Sequence, residues 1–287
     1  MAAFLKKLAF ITGGSSGIGL ETAMALSSRG CSVVLFARGQ AGLEGACKRV
    51  AAKALDASQR FGAICMDVSD NDQVIETIKS AVDKFGVPDI LMNSAGIGYG
   101  NYFERISYER FDQVMKINLY GTRNTISAVL PFMNQRGSGH IVNLSSVAGL
   151  IGIFGYSLYS ASKYALVGFS ESLRSELKRQ NIVVTVVCPP EVRTPLIEEE
   201  AKTMPPESRA VKNMAGILET AQVASAIVRA IVRKRFLVVP GLRAKATVFL
   251  HRISNGRLSR MTSDWIVALA SRNALQDQKR EDGLESP

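Results

Sequence analysis

The sequence predicts an α/β fold in which a doubly wound parallel sheet of about seven strands forms a single domain. Short, continuously apolar runs, as expected for strands buried on both faces, alternate with helical patterns along most of the chain. Strands joined through helices imply right-handed crossovers, which make neighbouring strands parallel. No repeat, low-complexity tract or interdomain linker interrupts the alternation.

Each predicted strand is a short apolar run, and the run Ile182–Cys188 is the richest in β-branched residues. In order, the predicted strands are Leu8–Thr12, Ser32–Ala37, Gly62–Met66, Asp89–Asn93, His140–Ser145, Ile182–Cys188 and Phe236–Val239. The predicted helices are Ile18–Arg29, a stretch ending near Ala57, Asp72–Phe85, Tyr108–Gln135, Tyr159–Gln180 and Ala221–Lys234. Ligands of such sheets bind beyond the carboxyl ends of the strands.

The composition is that of a globular protein, with 47% hydrophobic and 21% charged residues in 287. The four cysteines and two histidines lack metal-ligand spacing, so we expect reduced core thiols, no metal site and a cytoplasmic location. The apolar run after Lys6 and Lys7 is too short for a signal peptide. The uncharged stretch Ile141–Ser162 is long enough to span a bilayer, but it is rich in Ser, Gly and Asn. We interpret it as a strand, a loop and a helix start.

A glycine-rich turn, Thr12–Gly19 (TGGSSGIG), follows the first strand. Glycines at these positions allow a tight turn and a close approach to a pyrophosphate, which the positive end of the next helix attracts. A glycine triplet alone is weak evidence, and a helix-packing turn is the alternative. The strand before and the helix after favour a dinucleotide site of the Rossmann type, with contacts from Gly13, Ser15, Ser16, Gly17, Ile18 and Gly19.

The end of the second strand indicates which dinucleotide binds. A carboxylate there would bind the ribose hydroxyl of NAD, but the sequence has Ala37 and Arg38. The Arg38 guanidinium can pair with a 2′-phosphate, so the sequence favours NADP(H). The alternative is a solvated surface arginine.

Three tyrosines, Tyr156, Tyr159 and Tyr164, share one segment with a single base, Lys163. A phenol is a poor acid near neutral pH because its pKa is about 10. A lysine one helical turn away stabilises the phenolate and lowers that pKa. Only Tyr159 has a lysine at i+4, so Tyr159 is the candidate for proton transfer.

The strand ending in NLSS brings Ser145 and Ser146 to the same sheet edge, where a hydroxyl can bind a substrate oxygen. With TGGSSGIG, NSAG (Asn93–Gly96), KIN (Lys116–Asn118) and YSASK (Tyr159–Lys163), the chain resembles the short-chain dehydrogenase/reductases from about Leu8 to Val239. Within this family, the chain is most similar to the 3-ketosphinganine (3-ketodihydrosphingosine) reductases. This similarity is carried by the double proline Pro189-Pro190, by LIGIFGYSLYSASK before it and by LIEEEAKTMPPE after it.

The resemblance implies that Tyr159 transfers the proton and that Ser146 orients the carbonyl or alcohol. It also implies that Lys163 holds the nicotinamide ribose and lowers the pKa of Tyr159, and that Asn118 keeps a water in the proton relay. Ser145 is expected to bond to backbone. Further cofactor contacts are implied for Asp67 and Val68 at the adenine, and for Asn93, Ala95, Gly96, Tyr159, Lys163, Pro189 and Thr194.

One departure from the family pattern is Pro189-Pro190 in place of Pro-Gly, which stiffens the loop beside the nicotinamide. The following segment, Glu191–Thr220, lacks a strong period and suits a substrate lid. Apolar residues of the lid and of Val147–Phe154 flank the reacting position, which suits a long-chain ketone. The alternative is that these side chains only cover the hydrophobic core. The lid candidates are Leu196, Ile197, Met204, Met214 and Ile217.

The formal charge of +10 is concentrated towards the C-terminus, where residues 221–287 hold 12 Lys/Arg against 5 Asp/Glu. We expect residues 1–240 to form the catalytic domain and 241–287 a basic amphipathic helical extension. A nucleic-acid site is disfavoured because interleaved aromatic residues are lacking. A membrane face fits the basic residues Arg243, Lys245, Arg252, Arg257 and Arg260 alternating with Leu242, Val248, Phe249, Leu250, Ile253, Leu258, Met261, Trp265, Ile266 and Leu269. A solvated helical face or a subunit contact is the alternative.

These features predict an NADP(H)-dependent carbonyl reductase acting on a long-chain or lipid-like ketone, with 3-ketosphinganine as the leading substrate. A 3-oxoacyl or steroid-type reductase is the alternative enzyme. A catalytically idle dinucleotide sensor is the alternative of another class, which the complete set of Asn118, Ser146, Tyr159 and Lys163 disfavours. The resemblance also implies a homo-oligomer paired through the helices at Tyr108–Gln135 and Tyr159–Gln180.

Overall fold

A computed structural model of the protein describes residues 4–212 and 216–284, with side chains described up to residue 272. Seven strands form one sheet, and two short strands pair separately. The strands are β1 Leu8–Thr12, β2 Ser32–Ala37, β3 Phe61–Cys65, β4 Ile90–Asn93, β5 Gly139–Leu144, β6 Ile182–Val187, β7 Glu191–Val192, β8 Ile217–Leu218 and β9 Leu237–Val238. The helices are α1 Gly17–Ser27, α2 Gln40–Ala51, α3 Asn71–Phe85, α4 Tyr108–Met115, α5 Gly121–Arg136, α6 Ser157–Leu177, α7 Pro195–Ala201, α8 Pro206–Lys212, α9 Thr220–Val232, α10 Leu242–Ile253 and α11 Arg257–Leu284.

The large sheet is parallel throughout, with the order β3-β2-β1-β4-β5-β6-β9. The chain winds outwards in one direction from β1 to β3 and in the other from β4 to β9. The order therefore reverses between β1 and β4, where Thr12 is in register with Asn93. A crevice opens beyond the carboxyl ends of the strands at such a reversal. The predicted doubly wound sheet of about seven strands is confirmed.

Both faces of the sheet are buried, which explains the continuously apolar strands. Alternate residues of a strand point to opposite faces, so Ile11 and Leu35 pack into one core and Phe10 and Val34 into the other. The first core also holds Ile227 of α9, and the second core is closed by helices α3 and α5. Stable cores on both sides fix the strand ends at which the site residues lie.

The predicted helix Tyr108–Gln135 is divided by one π-helical turn at Lys116–Tyr120. The backbone stays helical on both sides of the turn, since Met115 and Gly121 have right-handed helical φ and ψ. A π-helical turn widens the helix locally and often marks a functional site. Here the turn places Asn118 against the loop that follows β4.

The segment predicted as a substrate lid contains two short helices, α7 and α8, and the strands β7 and β8, which pair in parallel. Each helix begins at a proline, Pro195 or Pro206, a residue whose fixed φ suits the first helical position. Short helices show too few turns for a period to be visible in the sequence. Met214 lies outside the described residues.

The C-terminal extension is docked on the catalytic domain. Ala244 and Val248 of α10 are buried beside Val147 in a small apolar cluster. On α11 the Ser271 hydroxyl donates a hydrogen bond of 2.9 Å to Glu207 of α8. Among residues 4–212 and 216–284, no helix combines the length and the apolar character that a bilayer span requires.

Candidate active site

The glycine-rich turn between β1 and α1 leaves no room for a side chain at Gly13 or Gly19. Gly13 has a φ of +64°, in the left-handed region, and a Cβ there would lie 2.6 Å from the backbone nitrogen of Ala95. A Cβ on Gly19 would collide with the carbonyl oxygen of Gly13. Only glycine permits this turn, which brings helix α1 close to the end of β1.

The amino end of α1 is available to an anion. Its N-cap residue Ser16 makes no capping hydrogen bond through its side chain, and the first turn contains no acidic residue. The first N–H groups of a helix lack intrahelical partners and carry positive partial charge, so they attract phosphate. They face a cavity of about 390 Å³ whose wall includes Gly13, Ser15, Ser16, Gly17, Ile18, Arg38, Asp67, Val68, Ala95, Gly96 and Thr194. These residues fit a dinucleotide.

Two predicted cofactor residues have other surroundings. Asn93 is buried, and its side chain donates to Asn143 at 2.8 Å and accepts from Thr125 at 2.6 Å. The Asn93 side chain therefore ties β4 to β5 and to α5 beneath the cofactor cavity. Gly19 lies inside the turn and off the cavity wall, where it allows close packing.

Arg38 lies exposed at the end of β2, on the rim of the cofactor cavity. Within the part of the chain that the structure describes, no carboxylate lies within 4.0 Å of its guanidinium. Asp67, on the same wall, accepts hydrogen bonds from the backbone N–H and the hydroxyl of Ser69 through Oδ1. Arg38 is thus free to bind an anion at this rim.

A second cavity, of about 850 Å³, adjoins the first and contains three of the four predicted catalytic residues, while Asn118 lies off its wall. Ile18, Gly96 and Thr194 lie on the walls of both cavities, so the two are continuous. We refer to the second as the substrate cavity. Its wall includes Ser146, Tyr159, Lys163 and Pro189.

Ser146 and Lys163 are held on either side of Tyr159. The Ser146 Oγ accepts a hydrogen bond of 3.1 Å from the Ala148 N–H, so its own proton is available to a substrate oxygen. The Lys163 Nζ donates to the carbonyl of Leu144 at 3.0 Å and lies 5.6 Å from the centre of the Tyr159 ring. The Ser145 hydroxyl donates to the carbonyl of Lys163 at 3.0 Å, which confirms the expected backbone bond.

The expected lowering of the Tyr159 pKa is not found in this structure. Burial of the hydroxyl raises the pKa of Tyr159, the negative charge of Glu200 raises it further, and a hydrogen bond with Ser146 opposes both effects. Burial lowers the pKa of Lys163 to about 8. Desolvation disfavours the charged form of each group, and here it outweighs the pairing that sequence spacing suggests.

Asn118 is fully buried in the π-helical turn. Its Nδ2 donates to the carbonyl of Ile97 and to the Ser162 hydroxyl, both at 3.0 Å, and its Oδ1 accepts from the Ile97 N–H at 2.9 Å. The side chain therefore braces the loop after β4 against α6. Its role in holding a water stays a prediction.

A charged cluster in the substrate cavity was not anticipated. The Tyr156 hydroxyl donates to Oε2 of Glu200 at 2.9 Å, and the Lys212 Nζ donates to the same oxygen at 2.9 Å. Glu191 lies 3.5 Å from Lys212. Glu200 is the last of three consecutive glutamates, and no sequence pattern shows which of them is buried.

The rest of the substrate cavity is largely apolar. Ile151, Ile153 and Phe154 line it from the loop before α6, and Leu196 and Ile197 line it from α7, as predicted. Met204 and Ile217 are off the wall, and Ile217 is exposed because it lies on β8. The sequence did not indicate that α10 and α11 also form this wall, through Thr247, His251, Ser259, Arg260, Ser263, Asp264, Val267 and Ala268.

The fold and the paired cavities define an oxidoreductase with a nicotinamide dinucleotide site. Residues 7–205 match the family described as short chain dehydrogenase, and the chain belongs to this family. A levodione reductase has the same fold, with a TM-score of 0.77 and 29% identity over 85% of this chain and 99% of that one. A short-chain dehydrogenase/reductase from Burkholderia phymatum, solved in complex with NAD, has a TM-score of 0.77 and 28% identity over 88% of this chain and 95% of that one.

Among curated proteins, the chain is 40% identical to 3-dehydrosphinganine reductase of Danio rerio and 38% identical to 3-ketodihydrosphingosine reductase of Mus musculus. Each match covers 79% of this chain and 68% of the relative. It is also 33% identical to a ketoacyl reductase of Nostoc, over 83% of this chain and 80% of that protein. The predicted resemblance to the 3-ketosphinganine reductases is confirmed.

Proposed function

We propose that the protein is an NADP(H)-dependent reductase that converts 3-ketosphinganine to sphinganine. The observation that carries the proposal is the large, mainly apolar substrate cavity, which contains Tyr159 and joins the dinucleotide cavity at Ile18, Gly96 and Thr194. A cavity of about 850 Å³ walled by apolar side chains suits a long hydrocarbon chain better than a sugar. The vertebrate relatives that bear reductase names for this ketone support the same substrate.

The side chains around Tyr159 can carry out the proton transfer of a carbonyl reduction. The nicotinamide, when bound, supplies the hydride. The Ser146 hydroxyl orients the carbonyl oxygen by donating a hydrogen bond, and Tyr159 donates a proton to that oxygen. Tyr159 is protonated at neutral pH, because its pKa lies above the already high value of a free phenol, so it can be the proton donor. Lys163, whose Nζ donates to the carbonyl of Leu144, binds the ribose of the cofactor in this proposal.

The preference for NADP(H) rests on Arg38. Its guanidinium is unpaired with any carboxylate of the described residues and stands at the rim of the cavity, beyond β2. A 2′-phosphate at this rim would form a charge-assisted hydrogen bond with it. No carboxylate takes the place after β2 that would select the ribose hydroxyl of NAD.

The test is oxidation of NADPH with 3-ketosphinganine, with a 3-oxoacyl thioester and with a steroid ketone as competitors. We expect the highest kcat/KM for 3-ketosphinganine, and a higher kcat/KM with NADPH than with NADH. A higher kcat/KM for the 3-oxoacyl thioester would favour the function named for the Nostoc relative. If no ketone is reduced with either cofactor, the alternative of a catalytically idle dinucleotide sensor would be favoured.

We also propose that the protein is cytoplasmic and that α10 and α11 rest on an anionic membrane surface. On these helices Leu242 is 83% exposed, Phe249 61% and Trp265 65%, so apolar side chains face outwards. Exposed bases, among them Arg243 and Arg252, accompany them and match anionic lipid. Val248 was expected on this face but is buried, because it packs into the domain.

The membrane proposal is tested by cosedimentation with anionic and neutral vesicles. Removing the extension would open the substrate cavity, so the test uses the double variant Phe249→Glu/Trp265→Glu in the full chain. We expect binding to anionic vesicles that weakens in salt and is lost in the variant. Leu55→Glu, at a 56% exposed residue elsewhere, is the control. Equal binding to neutral and anionic vesicles would contradict the proposal, and so would binding to nucleic acid without binding to vesicles.

The pairing of two copies through α4, α5 and α6 stays a prediction. The molecular mass of the protein in solution checks it.

A further inference from the structure

The charged cluster of Tyr156, Glu191, Glu200 and Lys212 is an unusual component of a cavity whose surface is mainly apolar. All four residues line the substrate cavity, and the side chains of Glu191, Glu200 and Lys212 are only 11%, 6% and 10% exposed. Burying ionised groups is unfavourable unless other charges or hydrogen bonds compensate. A neutral hydrocarbon ligand gives no reason to retain such a cluster.

The cluster has more negative than positive charge. Two carboxylates, Glu191 and Glu200, share the single ammonium group of Lys212, which gives a formal charge of −1. Among residues 4–212 and 216–284, Lys212 is the only cation within 4.0 Å of either carboxylate. The remaining charged groups of the cavity wall are Lys163, which is bound to the carbonyl of Leu144, and Arg260 and Asp264 on α11. A cationic ligand would therefore be favoured beside the two carboxylates.

Two polar atoms at this wall lack partners among the described residues. Both hydrogen bonds to the Glu200 carboxylate are made to Oε2, and Oε1 accepts none. The Ser160 hydroxyl, one helical turn beyond Tyr156, is buried on the same cavity wall without a partner. Glu200 itself is 5% exposed and lies directly against Gly98, where a Cβ would collide with Oε1. Buried polar atoms are normally hydrogen-bonded, so the unpartnered Ser160 hydroxyl leaves room at this wall for a polar ligand group.

The cluster is close to the point of reaction. Glu200 is bound to Tyr156, whose ring centre lies 5.8 Å from that of Tyr159. Its charge reaches Tyr159, because it contributes to the raised pKa of that residue. A ligand group bound here would lie near the carbonyl that Tyr159 protonates. In an α-amino ketone, the amine is on the carbon next to the carbonyl.

We propose that Glu200, assisted by Glu191, binds the ammonium group of a 2-amino ketone and makes the cavity selective for amino ketones over neutral ketones of equal chain length. Lys212 and Tyr156 hold the Glu200 carboxylate in position through Oε2. The inference rests on the proposed function and adds to it the group by which the substrate is recognised. The Glu200 charge disfavours the phenolate of Tyr159, so a bound ammonium also offsets that effect.

The test compares two substrates, 3-ketosphinganine and its analogue without the 2-amino group, a neutral 1-hydroxy-3-ketone of the same length. We expect the ratio of their kcat/KM values to favour the amino ketone and to fall about 10- to 100-fold in Glu200→Gln, as for loss of a charge-assisted hydrogen bond. Glu191→Gln should lower the ratio in the same direction and provides the test if Glu200→Gln does not fold. Glu198→Gln, at an exposed glutamate of the same helix, is the matched control.

Two results would overturn the inference. One is an unchanged ratio in both Glu200→Gln and Glu191→Gln; the other is a ratio near one in the unmodified protein. If neither ketone is turned over, the proposed function fails, but the inference can still be tested. The affinities of sphinganine and of N-acetylsphinganine for the complex of the protein with NADPH are then compared. Tighter binding of sphinganine that is lost in Glu200→Gln would support it, and equal binding would refute it.

Discussion

The cofactor cavity and the substrate cavity meet at Ile18, Gly96 and Thr194 but are built from different kinds of group. The glycine turn and the N–H groups of α1 form much of the cofactor cavity, where backbone approaches the ligand closely. The substrate cavity is lined by side chains from the loop after β5, from α6 to α8, and from α10 and α11. The comparison indicates that backbone geometry binds the part of the ligand common to many enzymes, whereas side chains of late elements recognise the substrate.

The largest expected effect tests the proposed proton donor, Tyr159, on the wall of the substrate cavity. Tyr159→Phe removes only the hydroxyl, so we expect kcat to fall by about 10²- to 10⁴-fold, the usual contribution of a general acid. NADPH affinity, measured by fluorescence titration, should change little. Tyr156→Phe, the same change at the neighbouring ring, should cause a smaller loss. Comparable kcat values in both variants would mean that the proton donor is misassigned.

Gly13→Ala tests whether the cofactor cavity depends on backbone geometry. The φ of +64° and the approach to Ala95 should cost roughly 2–4 kcal/mol, lowering NADPH affinity about 30- to 1000-fold. Gly45→Ala is the control, because a Cβ there meets nothing within 4 Å and Gly45 lies off the walls of both cavities. Titration with NADPH, with thermal denaturation to monitor the fold, checks the prediction. Similar affinities in the two variants would show that the turn tolerates a side chain.

Arg38→Ala tests the one side-chain charge assigned to cofactor selection. Loss of a charge-assisted contact with the 2′-phosphate should weaken NADPH about 10- to 100-fold and leave NADH nearly unaffected. Dissociation constants for both cofactors provide the measurement. Arg60→Ala, at an exposed arginine on the opposite end of the strands, should affect neither cofactor. Equal weakening of NADPH and NADH would refute the assignment.

The smallest expected effect is a shift in a pH profile, and it tests whether the substrate cavity influences the proton donor. Oxidation of sphinganine requires the phenolate of Tyr159, so its rate should rise with pH. Glu200 raises the pKa of Tyr159, and Glu200→Gln should therefore move this rise to lower pH. Glu198→Gln should not move it. A profile that is the same in both variants would mean that the Glu200 charge does not reach Tyr159.

Local patterns were sufficient for the sheet and the cofactor turn. A buried parallel strand must be continuously apolar, and β1, β2 and β6 begin at the residues that the sequence predicts. The turn Thr12–Gly19 is encoded by neighbouring residues, because its conformation requires glycine at fixed spacing. The spacing of Tyr159 and Lys163 likewise follows from one helix, α6. These features depend on interactions that are close in sequence.

Only the tertiary structure decided the electrostatics and the walls of the substrate cavity. The pKa of Tyr159 depends on its burial and on Glu200, which α7 brings from 41 residues away. Which of three consecutive glutamates becomes buried depends on how α7 packs, and the placement of α11 over the cavity depends on its contact with α8. A local motif can identify the individual residues of the site. Charge and burial act through space, however, so residues distant in sequence determine the chemical properties of those residues.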